Sequence, residues 1–69
     1  MNYVNSEMTL LINELVHSER DRKILQRKMI DDVHYEILAE EFELSVAQVK
    51  RIVKKEREKL FWFLALMSI

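Results

Sequence analysis

The 69-residue chain contains no glycine, no proline and no cysteine. With no glycine or proline to punctuate it, its helix ends must be set by capping side chains and short polar turns. With no cysteine, a disulfide framework and a cysteine zinc site are both excluded, and a domain this small must draw its stability from packing or self-association. The same absence fits a reducing, cytoplasmic setting. Long hydrophobic runs are missing as well. The longest, Leu60 to Met67, falls far short of the roughly 20 helical residues that cross a bilayer, and Met1 leads into no basic segment followed by an apolar run. Neither secretion nor membrane insertion is expected. There is no strand-like alternation, internal repeat or low-complexity linker, and a chain of this length forms one domain with a small core.

Enzyme chemistry finds little footing in what remains. There is no glycine-rich phosphate loop and no cysteine nucleophile, and only two histidines, His17 and His34, are present. Asp31, Asp32 and His34 form no ligand set with a recognised metal spacing and read as polar residues at a helix stop. No cofactor and no metal are expected, and the chain is not expected to be an enzyme.

The net charge of -1 conceals a strong asymmetry. Residues 1–44 carry ten acidic and five basic side chains, whereas residues 45–69 carry two acidic and six basic ones, all six between Lys50 and Lys59. A nucleic-acid-binding protein needs a local cationic face to displace counterions from phosphates, and its total charge need not be positive. The competing explanation is a solvated helix face laced with i, i+4 pairs, to which Glu56 and Glu58 would contribute.

Apolar periodicity divides the chain into four helices. Asn5 or Ser6 is placed to cap a first helix running to about Val16, with Met8, Leu11, Ile12, Leu15 and Val16 on one face. Ser18 and Asp21 suggest a capped second helix to about Asp31, with Ile24, Leu25 and Met29 inward and Val33 packing beneath the next helix. A third helix covers roughly residues 35–42. Ser45 is a good N-cap for the fourth, its oxygen able to accept from the N–H of Ala47 or Gln48.

Residues 35–54, YEILAEEFELSVAQVKRIVK, have the spacing of a helix-turn-helix. Leu38, Ala39 and Phe42 share a face of one short helix, Leu44 falls in the turn, and Val46, Val49, Ile52 and Val53 line the next helix. A small residue suits Ala39, because such helices cross closely at roughly 90 to 120°. On a helical wheel the inward stripe continues through Leu60, Phe63, Leu64 and Met67, while Ala47, Gln48, Lys50, Arg51, Lys54, Lys55 and Glu58 lie opposite. In a major groove the N-terminal residues of such a helix meet base edges and later ones meet phosphates. Gln48 then suits adenine, Arg51 guanine and Ala47 a thymine methyl, with Lys50, Lys54 and Lys55 as phosphate contacts.

With the basic SERDRKILQRKMID, YEILAEEFELS and VAQVKRIVKKEREKL segments in this order, residues 19–60 resemble region 4 of bacterial sigma factors and the small sigma-like regulators that share it. The resemblance implies an all-helical fold without winged elements, recognition of upstream promoter DNA, and contact with RNA polymerase. It further implies that Val46 to Arg51 read bases and that Lys54 and Lys55 meet the backbone. Glu43 stands where that family commonly has glycine, whose use there is a positive φ angle. Nothing in these 69 residues corresponds to the domain with which a complete sigma factor melts DNA, so a small regulator, a phage or mobile-element type of factor, or one half of a split system is expected.

Beyond Leu60 the last helix is apolar all round, because Phe61, Trp62, Ala65 and Leu66 project away from the core stripe. A helix hydrophobic on every side requires burial on every side. The N-terminal helix, with Tyr3, Val4, Met8 and Leu11, wraps over it, or the tail is an interface for a homodimer or another protein, and the two are compatible. A dimer would fix two reading helices at a set spacing and demand a two-fold or repeated DNA site. Glu56 falls within the apolar stripe, where it needs either a partner such as Arg20, Arg27 or Lys28, or an opening to water.

Overall fold

A computed structural model describes residues 5–68, with side chains from Glu7 onward. Four helices follow one another: α1 (Asn5–Leu15), α2 (Glu19–Met29), α3 (Tyr35–Glu41) and α4 (Val46–Met67). There is no strand among the described residues, so the domain is all-α, as the periodicity requires. The expected cap at Asn5 or Ser6 concerns side chains outside those described.

Polar side chains set the starts of α2 and α4, whereas α3 begins after His34 with no side-chain cap. Ser18 Oγ accepts the Asp21 N–H at 3.3 Å and opens α2. Arg22 reaches back from α2 and its Nε donates to the Val16 carbonyl at 3.0 Å, satisfying a group left over at the end of α1. Ser45 and Gln48 form a reciprocal capping box at the start of α4: the Gln48 N–H donates to Ser45 Oγ at 3.1 Å, and the Ser45 N–H donates to Gln48 Oε1 at 2.8 Å.

α2 and α3 stop at residues in the left-handed region. α2 ends two residues short of the expected Asp31, because Asp32 turns to φ 53°, and the Val33 N–H then donates to the Arg27 carbonyl at 3.1 Å. Aspartate tolerates that region better than most residues. α3 closes in a Schellman motif. Glu43 adopts φ 56°, its N–H donates to Glu40 O at 3.3 Å, and the Leu44 N–H donates to Ala39 O at 2.8 Å. Glu43 therefore takes the positive φ for which glycine is otherwise used, without glycine's freedom from strain.

The core draws on all four helices. Ile12 and Val16 come from α1 and its exit, Ile24 and Leu25 from α2, Leu38 and Ala39 from α3, and Val49, Val53 and Leu60 from α4. Met29, Val33, Tyr35, Phe42, Leu44, Val46 and Ile52 pack around them, half-buried. α4 is the spine: it packs against the other three helices, and its 22 residues span about 33 Å, most of the 38 Å long axis of the molecule.

That length is also why the apolar stripe fails before its end. α1 has 11 residues, about 16 Å, and one short helix covers only one side of the tail. Phe63 and Leu64 are half-buried where they share a groove with Leu11 and Leu15. Met67, expected on the core face, is 69% exposed. Phe61, Trp62, Ala65 and Leu66 are all exposed, so α1 does not complete a core around them among the described residues. Tyr3 and Val4, expected to join that cover, lie outside the described residues.

Glu56 departs from both expectations. It is only 3% exposed, so its face does not open to water. Its partner is Lys59 of the same helix, with Nζ 3.2 Å from Oε2 and 3.4 Å from Oε1. Oε2 is within ion-pair range but off hydrogen-bond geometry, and is left without a hydrogen bond. The α2 candidates are engaged elsewhere: Arg20 with Asp21, Arg27 with Glu41 at 2.8 Å, and Lys28 with Asp32 at 3.5 Å.

Candidate nucleic-acid interface

Burial of Val49, Val53 and Leu60 fixes the rotation of α4 about its axis. Side chains about half a turn away must then face solvent, and Ala47, Gln48, Lys50, Arg51, Lys54, Lys55 and Glu58 are all exposed. The capping box fixes where this surface begins, and the Glu43 turn fixes how α4 departs from α3. Seven of the residues that line the helix opposite its core therefore form one continuous strip, as the wheel requires.

Its electrostatics distinguish it from the rest of the surface. Basic side chains of α2 are mostly paired: Arg20, Lys23, Arg27 and Lys28 each lie within 4.0 Å of a carboxylate. Among the described residues, Lys50, Arg51, Lys54 and Lys55 have no ion-pair partner at all. The i, i+4 lacing that would have made this an ordinary solvated face is absent, since Glu56 is turned into the core and Glu58 pairs with no neighbour. Four cations within two helical turns, unneutralised by the fold, make a strip of concentrated positive potential.

Two expected base-reading positions are partly withdrawn. Val46 is half-buried and packs on the core, because the first residue of α4 also closes the α3–α4 corner. Gln48 is exposed, but its Oε1 accepts the Ser45 N–H. A two-pronged contact with adenine uses both the amide oxygen and the amide nitrogen. While the cap is intact only Nε2 is free to donate, so of the residues nearest the helix start Arg51 and Ala47 are the least encumbered.

A further member of the strip's surroundings was not evident in the sequence. The Tyr35 ring lies under two ammonium groups, Lys28 Nζ at 4.4 Å and Lys50 Nζ at 5.6 Å from its centroid. This cation–π contact ties Lys50 to the start of α3 and to the end of α2. No spacing rule connects residues 28, 35 and 50; the only signal was an aromatic residue at the start of a short helix. Asp31, Asp32 and His34 sit exposed in the connection between α2 and α3, with Asp32 turned toward Lys28.

No protein-family model matches the chain, and neither a curated protein nor a solved structure shows significant similarity to it. No helix among the described residues is long and apolar enough to cross a membrane.

Proposed function

We propose that the protein is a sequence-specific DNA-binding transcription regulator. In this reading α3, its left-handed turn and α4 act as a helix-turn-helix, and residues 45–60 enter the major groove. The supporting observation is the unpaired cationic strip on the side of α4 opposite the core. Arg51 suits a forked contact with guanine, Ala47 apolar contact with thymine, and Gln48 a single donated hydrogen bond. Lys50, Lys54 and Lys55 suit phosphates, where a point charge on a flexible stem suffices. The resemblance to sigma region 4 adds promoter DNA as the target and RNA polymerase as a second partner.

The test is fluorescence anisotropy of the full chain with labelled duplex DNA across a salt series. The three phosphate-contacting lysines give a log K against log salt slope of about -2.7. The double variant Arg51→Ala, Lys54→Ala should lower that slope to about -1.8 and weaken binding, with unchanged helix content. An unchanged slope and affinity in that variant would remove α4 from the interface. The exposure of Trp62 and Leu66 favours a second reading, in which the domain is a polymerase-binding or anti-sigma-like module. Complete absence of salt-sensitive DNA binding by the wild-type chain selects it.

A further inference from the structure

The outward face of the α4 tail has a shape that matches itself. Phe61, Trp62, Ala65 and Leu66 are spaced i, i+1, i+4, i+5, so at about 100° per residue they form one seam turned away from the buried Leu60. Phe61 is 57% exposed, Trp62 71% and Leu66 66%. α1 lies mainly on another side of the tail, where Leu11 and Leu15 line a groove with Phe63 and Leu64; only its last residue, Leu15, borders Trp62 and Leu66, and both stay largely exposed.

We infer that the seam pairs with the same seam of a second copy, antiparallel, about a two-fold axis passing between Phe63 and Leu64. Phe61 then lies against Leu66 of the partner subunit, and Trp62, the largest side chain of the seam, lies against the smallest, Ala65 of the partner subunit. Both contacts occur twice, as an isologous interface requires. The four residues expose roughly 450 Å² per chain, so pairing covers about 900 Å² from them alone, and the adjoining stem of Lys59, opposite Ser68 of the partner subunit, carries the total to the roughly 1,000 Å² of a specific interface.

Charge selects the orientation. Parallel tails would set Lys55, Glu58 and Lys59 each beside its own copy. Antiparallel tails place the two Lys55 positions at opposite ends, about 25 Å apart at 1.5 Å per residue. The two strips from Lys50 to Lys55 are then carried outward, leaving them free of the interface.

The experiment uses the full chain without DNA, so its result does not depend on the DNA-binding reading. Sedimentation equilibrium is expected to give twice the 8.4 kDa chain mass. Trp62→Glu and, separately, Leu66→Lys should each weaken association about 100-fold or more while circular dichroism stays helical. A nitroxide at Lys55→Cys, unique in a chain without cysteine, should report a spin–spin distance centred at about 25–35 Å, against under about 20 Å for parallel tails. A monomer at all concentrations, association that survives both substitutions, or the short distance would each overturn the pairing. Association only after another protein is added would assign the seam to that protein instead.

Discussion

Replacing Glu56 by methionine should stabilise the domain. The carboxylate is 3% exposed, lies between Val53 and Leu60 on the inward face of α4, and has one oxygen with no hydrogen bond. Its only counter-charge among the described residues, Lys59 Nζ at 3.2 Å from Oε2, belongs to a side chain 46% exposed, which water already solvates. Removing the carboxylate therefore strands no buried charge, and Lys59 relaxes into solvent. Methionine fills nearly the same volume with a flexible apolar chain. Replacement of buried ion pairs by apolar groups of similar size is neutral or favourable by up to about 4 kcal/mol. The half-exposed partner recovers little by Coulomb attraction, which places the expected gain at about 1–3 kcal/mol. In a domain of this size each kcal/mol moves Tm by roughly 4–8 °C, so Glu56→Met should raise Tm by about 10 °C. Lys59→Met is the opposing control: it leaves the buried carboxylate without a counter-charge and should lower stability by about 1–2 kcal/mol. Urea unfolding followed by circular dichroism at unchanged m-value provides the measurement. A Glu56→Met variant equal to or less stable than wild type would show that the carboxylate supports the fold, and would refute the reasoning.

Three further outcomes follow from the turns and the core. Ser45→Ala removes one half of the capping box and should lower stability by about 1 kcal/mol in the same urea assay, with early loss of hydrogen-exchange protection at the Gln48 amide. Glu43→Gly relieves a left-handed glutamate and should raise stability by about 0.5–1 kcal/mol, whereas Glu43→Val should lower it; equal effects would mean that the turn is unstrained. Leu38→Ala empties a fully buried site where α3 meets α4 and should cost about 2–5 kcal/mol, enough to leave so small a domain partly unfolded at 25 °C by circular dichroism.

Most of the fold was legible from local chemistry. Ser18 and Ser45 announced two helix starts because a hydroxyl oxygen offers one of the few ways to satisfy orphan N–H groups in a chain without proline. The stripes through Ile12, Leu25, Leu38, Val49 and Val53 reported the inward faces because burial and helical period are locked together. Exposure of Lys50, Arg51, Lys54 and Lys55 followed from the same wheel. Less legible were Met67, which obeys the stripe but extends past its cover, and Gln48, whose amide is shared between the cap and any base. Lys28 and Lys50 meeting on Tyr35 left no trace in spacing.

The sequence by itself determined four helices, their inward faces and a cationic side on the last, because caps and periodicity act over one or two turns. Tertiary structure decided which parts of those faces are covered. An apolar stripe records what a residue prefers, while the length and direction of the neighbouring helix determine whether anything reaches it. Leu60 is buried and Met67 is not because α1 covers one side of α4 over only part of its length. Glu56 is sealed in, and Lys54 is left free, because the packing of α4 on three helices at once sets its rotation, and that rotation assigns each charge to core or to water.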